Sequence, residues 1–252
     1  MTRIIMHGCN GRMGKMIAQL VKDDPDIEIA AGVDIVGGAD EAFPVYDDIY
    51  KVSEAADAVV DFGNAKAVDK LLDWCLENKM PLVECTTGLS DEQLLRIKDA
   101  AGEIAMFKSA NMSLGINLLQ KILKENAAVL IEAGFDVEIV EKHHRMKLDA
   151  PSGTALALAD SVNEGIGETM EYVFDRSNRR MKRPDKEIGI SAVRGGSIVG
   201  DHDVYFAGQD EVVTLSHMAY SRAVFAKGAI QAAKFVTGKP AGAYDMSDVI
   251  NS

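Results

Sequence analysis

Arg3-Ile4-Ile5-Met6-His7-Gly8-Cys9-Asn10-Gly11-Arg12-Met13-Gly14 is the stretch on which the fold turns. Residues 3–7 read as a short buried strand, and Gly8 to Gly14 as a turn. Met13 to Lys22 reads as a helix, with Met13, Met16, Ile17 and Leu20 at helical spacing. Ile27 to Val33 reads as a second strand, ending at Asp34. A strand–turn–helix–strand unit of this kind builds a parallel sheet. Its glycines permit a tight turn and close backbone approach to a pyrophosphate, while the helix start adds unpaired N–H groups and partial positive charge. Gly8, Cys9, Asn10, Gly11, Arg12 and Met13 are therefore the first candidate cofactor residues. Asn10 stands where the G-x-G-x-x-G pattern has its middle glycine, and Asn tolerates positive φ better than most residues.

Asp34 lies at about the 20-residue separation at which an acidic side chain meets the adenosine ribose hydroxyls. The same charge repels a 2′-phosphate, and Ile35, Val36 and Gly37 bring no cation to offset it. NADH is thus the expected cofactor, with NADPH as the second acceptable one because Arg12 and Lys15 are close by.

The alternation continues. Ala58 to Phe62, Pro81 to Cys85 and Ile104 to Phe107 read as strands, separated by a helix over residues 65–78 and one capped by Ser90, with Gln93 completing a capping box. Small and polar residues follow two of these strands: Cys85, Thr86 and Thr87, then Ser109, Ala110, Asn111 and Met112. A ligand crossing the carboxyl edge of an open sheet meets such positions. Asn111 has two open roles, bonding a nicotinamide amide or a loop backbone.

After Asn111 the character changes. Leu114 to Leu130 reads as a long amphipathic helix, Phe135 to Val140 as a strand, and Thr154 to about Glu164 as a helix. Residues 166–186 are charged and irregular. Ile188 to Val193, Gly196 to Val199, Asp203 to Ala207 and Glu211 to His217 read as strands of an antiparallel or mixed sheet, and Arg222 to Val236 as a closing helix. The expected fold is α/β: a Rossmann-like parallel-sheet domain over residues 1–112 and 220–252, interrupted by an α+β domain with an open mixed sheet over 113–219.

The 252 residues carry a formal net charge of −12, which disfavours nucleic-acid and membrane-surface binding. No apolar run approaches a membrane span, and the start of the chain does not resemble a signal peptide. Cys9, Cys75 and Cys85 form no CxxC pair and suit a reducing cytosol, so a cytoplasmic location is expected. No metal-ligand spacing is present.

Against that acidic background, Lys142-His143-His144-Arg145-Met146-Lys147 is a local cationic cluster. Histidine titrates near neutrality and can protonate the electron-rich enamine left by hydride addition to a conjugated imine. Neighbours on an extended segment point opposite ways, so His143 and His144 do not share one role. Lys147 can hold a carboxylate as a point charge and polarise a nearby C=N. Pro151-Ser152-Gly153-Thr154 opens a helix, and backbone N–H groups at Gly153 and Thr154 offer a carboxylate site.

The stretch from Glu141 to Thr154, EKHHRMKLDAPSGT, resembles the signature of the 4-hydroxy-tetrahydrodipicolinate reductase (dihydrodipicolinate reductase) family. The resemblance extends over essentially the whole chain, through Gly8–Gly14, Asp34, Cys85–Gly88, Ser109–Met112, Arg194-Gly195-Gly196, Gly200-Asp201-His202 and residues 222–244. It implies NAD(P)H-dependent reduction of dihydrodipicolinate, formed from 4-hydroxy-tetrahydrodipicolinate, to tetrahydrodipicolinate in lysine and diaminopimelate biosynthesis. It further implies His143 as general acid, Lys147 as the second catalytic residue, and His144, Gly153 and Thr154 as ligands of a small dicarboxylate. A homotetramer built by the mixed-sheet domain is also implied. Cys85 departs from the glycine common at the nicotinamide loop. His202 and His217 are assigned to structure, and His7 to packing or to a place beside the glycine loop.

Two rival readings follow from the same residues. One is another enzyme of the same build reducing a different small acid, such as a semialdehyde or an imino acid, of which a semialdehyde dehydrogenase would need Cys85 as its nucleophile; the other is an NADH-sensing subunit, which would have no use for a proton donor.

Overall fold

In the computed structural model, which describes residues 1–35 and 42–252, the chain divides into two compact units: Met1–Ser113 with Ala223–Ser252, and Leu114–Arg222. Val36 and Gly37, which follow Asp34, lie outside the described residues.

The first unit opens with β1 (Thr2–His7), α1 (Arg12–Val21) and β2 (Ile27–Val33), followed by the two-residue β3 (Val45–Tyr46) and a 3₁₀ turn at Ile49–Lys51. It continues with β4 (Ala58–Asp61), α2 (Ala65–Glu77), β5 (Leu82–Glu84), α3 (Asp91–Ala100) and β6 (Ala105–Lys108). Asn64 caps α2 through Lys66 N, and Ser90 with Gln93 forms the expected capping box on α3.

The second unit comprises α4 (Leu114–Glu132), β7 (Asp136–His143), α5 (Gly153–Ile166), β8 (Glu171–Val173), β9 (Glu187–Arg194), β10 (Gly200–Ala207) and β11 (Val212–Ala219). The chain then adds α6 (Ala223–Val236), β12 (Gly242–Tyr244) and α7 (Met246–Ile250) to the first unit.

The first unit holds a seven-stranded sheet in the order β12-β6-β5-β4-β1-β2-β3, with every neighbouring pair parallel. Alternation along the strands fills both faces. Ile4, Met6, Val60, Val83 and Phe107 pack with Ala229 and Ile230 of α6, while Ile5, Val59 and Leu82 pack with Leu71 and Leu72 of α2. The strand order reverses beside β1, so the β1–α1 turn stands at the topological switch where open sheets of this type take their ligands.

The second unit's sheet runs β11-β10-β7-β9-β8. β10 is antiparallel to β7 and β11, and β9 is parallel to β7 and β8. The sheet is mixed, as expected. Its buried face packs Val137, Ile139, Ile190, Val204 and Phe206 against Leu119 and Leu123 of α4 and Leu158 and Val162 of α5. At Gly165 a Cβ would come within 2.6 Å of the Lys124 carbonyl oxygen, so glycine permits the two helices to approach closely there.

Several local expectations are corrected. Gly196 to Val199 is a turn rather than a strand, with Gly196 at φ 50°. The irregular region 166–186 contains β8, which pairs through its backbone with β9. The first histidine belongs to its strand, because β7 extends three residues past Val140.

Candidate active site

The first cluster stands on the edge of the parallel sheet. Gly8 takes φ 78°, and a Cβ there would lie 2.6 Å from the Phe62 carbonyl oxygen, so only glycine fits. The left-handed conformation falls on Gly8 and not on Asn10, so Asn10 needs no special tolerance of positive φ. Instead its N–H donates to Asp34 Oδ2 at 3.0 Å, tying the carboxylate to the loop. Gly11 is the N-cap of α1, and no side chain caps that helix. Arg12 is exposed and Met13 half-buried, whereas the Cys9 side chain is packed into the core, leaving its backbone for a ligand.

A pocket of about 350 Å³ adjoins this loop, bordered by Gly8, Gly11, Asp34, Asp47, Asp48 and Lys70. Three carboxylates thus face one ammonium, and Lys70 is itself bound to Asp48 Oδ2 at 2.6 Å. His7 borders the pocket beside the glycine loop, the second of its two expected places, and its Nδ1 lies 2.5 Å from Asp61 Oδ1.

Asp61 and Glu84, both buried, end neighbouring strands in register. Asp61 accepts from Gly63 N at 2.8 Å and from Thr86 Oγ1 at 2.8 Å, while Glu84 Oε1 accepts from Thr86 N at 2.6 Å. Burial raises Asp61, but the hydrogen bond and charge of His7, with Thr86 and Gly63, outweigh it and hold the group below the ordinary value. Burial and the adjacent Asp61 push Glu84 up to about 9. Glu84 is therefore a neutral acid at neutral pH, which suits its buried Oε2, an atom with no hydrogen-bond partner among the described residues.

The two expected nicotinamide-side loops follow β5 and β6. Thr87 and Ala110 are exposed, Cys85 and Ser109 half-buried, and Thr86 buried. Asn111 Oδ1 accepts from Ser113 N at 2.8 Å, which makes it a ligand of its own loop backbone. The Met112 side chain lies in the core. Burial, with Glu84 and Asp61 nearby, pushes the Cys85 thiol well above its usual range. A protonated thiol is a poor nucleophile, which argues against an acyl-enzyme reading.

The second cluster is built on β7. His143 is buried at the strand end, and His144, the residue after it, is half-buried. His143 Nδ1 lies 2.6 Å from Glu141 Oε2. Glu141, fully buried, also receives Arg194 through both terminal nitrogens at 2.7 Å each, and Ser152 N at 2.9 Å. The parallel register of β7 and β9 sets His143 opposite Arg194 and so brings that guanidinium to the carboxylate. Burial raises Glu141, but Arg194, His143 and the Ser152 N–H together hold it below the ordinary value. Burial lowers His143, Glu141 opposes this, and Lys147 and Arg194 add to the lowering.

Ser152 is the N-cap of α5, its Oγ accepting from Ala155 N. That hydroxyl also meets His202 Nε2 at 3.0 Å, and the His202 ring stands edge-on to His143 with centroids 5.1 Å apart. Gly153 is exposed, with nothing within 4 Å of where a Cβ would be. Thr154 follows it, half-buried, in the first turn. Lys147 is half-buried, its Nζ 2.9 Å from Asp149 Oδ2. Lys142, also counted in the cationic cluster, pairs with Asp203 at 2.8 Å on the opposite face of the strand.

Sequence reasoning missed Glu141, Arg194 and the Asp61–Glu84 pair. Glu141 was within reach, because residues two apart on a strand share a face. Among the described residues, no three His, Cys, Asp or Glu side chains gather to hold a metal, and no helix is long and apolar enough to cross a membrane.

A parallel sheet with a glycine turn at its switch point, joined to a mixed-sheet unit carrying a histidine and lysine cluster, defines a Rossmann-type oxidoreductase. Family comparison then narrows the class. The model of dihydrodipicolinate reductase, N-terminus, matches residues 2–112, and that of dihydrodipicolinate reductase, C-terminus, matches residues 115–250. The chain belongs to the dihydrodipicolinate reductase family.

A relative called 4-hydroxy-tetrahydrodipicolinate reductase from Caldanaerobacter subterraneus subsp. tengcongensis is 52% identical over 250 residues, covering 99% of this chain and 98% of the relative. One of the same description from Clostridium tetani is 49% identical over 252 residues, covering 100% and 98%. The dipicolinate-bound dihydrodipicolinate reductase of Paenisporosarcina sp. TG-14 superposes with a TM-score of 0.75 at 26% identity, covering 97% of each chain.

Proposed function

We propose that this chain reduces the conjugated imine of dihydrodipicolinate, formed from 4-hydroxy-tetrahydrodipicolinate, to tetrahydrodipicolinate in lysine and diaminopimelate biosynthesis. The observation that carries the reading is the buried His143, engaged at Nδ1 by Glu141, with Lys147 four residues on, in a chain of this family. When bound, the dihydronicotinamide supplies the hydride. Hydride addition to the conjugated imine leaves an enamine, and His143 gives the proton to its carbon. Lys147 holds a substrate carboxylate and makes the C=N more electrophilic. His144 and the backbone N–H groups of Gly153 and Thr154 take the carboxylates at the start of α5.

In this reading residues 1–112 and 220–252 bind the dinucleotide, through Gly8 to Met13, Asp34, Cys85 to Thr87 and Ser109 to Met112. Residues 113–219 bind the substrate and oligomerise. NADH is preferred to NADPH. The support is that, among the described residues around the pocket, three carboxylates meet one ammonium, which is already paired with one of them. NADPH is the slower alternative, with Arg12 the exposed cation beside the loop. The exposed Val193, Val212, Met218 and Tyr220 of the second unit support a homotetramer, to be read by light scattering. The location follows as cytoplasmic.

The test is NADH oxidation with the substrate generated in situ, for wild type and His143→Gln. A loss of about 10²-fold or more in the variant is expected. No substrate-dependent oxidation by a folded, NADH-binding wild type would overturn the function. Full activity in His143→Gln would move the proton donor to His144 or to a water held by Lys147.

A further inference from the structure

We infer that Glu141 is a positioning residue for the proton transfer. Its carboxylate, pinned by Arg194 and the Ser152 N–H, turns Nδ1 of His143 inward and leaves Nε2 as the one nitrogen presented to the substrate. The inference rests on the reading of His143 as proton donor.

The geometry admits one arrangement of the ring. An ionised carboxylate only accepts, so the 2.6 Å contact makes His143 Nδ1 the donor. The bond made by one ring nitrogen decides which tautomer the neutral imidazole adopts. Nε2 is then the acceptor in the neutral ring and the acid in the charged one. A Cβ at position 200 would sit 3.1 Å from that nitrogen, so the glycine at the start of β10 keeps the approach to Nε2 clear.

The groups facing His143 from each neighbouring element have distinct effects. Glu141 on its own strand favours the charged ring, while Arg194 of β9 and Lys147 of the following loop oppose it. His202 of β10 is brought down to about 4 by burial and by His143, and stays neutral, so no second imidazolium competes. Burial lowers the ring most, against the carboxylate's pull toward the charged form. Arg194, bonded to both oxygens of the same group, shares that negative charge and leaves the ring able to give the proton up.

The experiment is nitrogen NMR of isotope-labelled histidine in the ligand-free protein, with the pH dependence of kcat measured alongside. In wild type the neutral His143 ring is expected to carry its proton on Nδ1. In Glu141→Gln the titration midpoint of His143 should fall by about one unit or more, because the anion that favours the charged ring is gone. The limb of the kcat profile due to the proton donor should move down with it, and kcat should drop at least about 10-fold with KM nearly unchanged. Glu141→Asp, which restores the charge, should return the midpoint toward wild type.

A neutral wild-type ring protonated on Nε2 would overturn the inference, and so would identical midpoints in wild type and Glu141→Gln. The wild-type spectrum needs no variant, so it decides the matter even where Glu141→Gln fails to fold. A protein with the Nδ1-protonated ring but no substrate-dependent oxidation of NADH would overturn the underlying function and leave the ring geometry standing.

Discussion

Glu84 and Glu141 are both fully buried at or near the ends of strands, one in each unit, yet one is neutral and the other ionised. Glu141 meets a guanidinium, an imidazole N–H and a backbone N–H, which together outweigh burial and keep it ionised. Glu84 meets one backbone N–H and a second carboxylate, so burial prevails and its pKa climbs to about 9. Burial alone therefore decides nothing about a carboxyl group; the count of donors aimed at it does. Each state suits its place. The ionised Glu141 orients a histidine. The neutral Glu84 accepts from Thr86 N and stands beside Asp61 in the register of β4 and β5, at the strand end that leads into the Cys85–Thr87 loop.

The sharpest way to break this contrast is to give Glu141 the surroundings of Glu84. Arg194→Met removes two hydrogen bonds and the countercharge from a buried carboxylate. It should cost roughly 3–5 kcal/mol of stability in denaturant unfolding, the usual penalty for orphaning one member of a buried pair. Stability from Glu141 is present above its unfolded pKa and is lost as pH falls through its lowered folded value, so the variant should also lose that acid-side dependence.

The reverse change is Glu84→Gln. The folded pKa of Glu84 is raised, so its stability contribution is complete below the unfolded value of 4.5 and is lost as pH rises toward about 9. A neutral amide keeps one donor and one acceptor without that loss. The variant should match wild type near pH 4 and be more stable by roughly 3 kcal/mol at pH 7, measured by denaturant titration across pH. Equal stability at both pH values would mean that Glu84 is ionised.

The smallest expected effect is at Cys85. Its raised thiol should alkylate slowly in the native protein at neutral pH, as followed by mass spectrometry. Rapid alkylation with parallel loss of activity would bring back a nucleophilic role.

How much of this was legible in the sequence depended on the range of the forces involved. The first strand, glycine turn and helix were readable because apolar spacing and glycine act locally, and the Ser90–Gln93 capping box was readable for the same reason. β3 and β12, at two and three residues, are too short to display any period. Gly196 to Val199 carries strand-like residues but turns at Gly196. In the site, the histidine pair was visible as composition, whereas Arg194 reaches Glu141 only through a parallel register between distant strands. The Asp61–Glu84 pair likewise exists only because β4 and β5 align these two residues. His202, set aside as structural, is held by the same serine that caps α5, a contact spanning fifty positions.

Carbon NMR of carboxyl-labelled glutamate in the ligand-free protein, titrated from acid to alkali and assigned with Glu84→Gln, tests the central contrast directly. One buried resonance, absent from the variant, should titrate near 9, and a second should stay ionised until well below the ordinary glutamate value. A Glu84 signal already ionised at neutral pH, or a Glu141 signal protonated there, would contradict the assignment of charge on which the account of both sites stands.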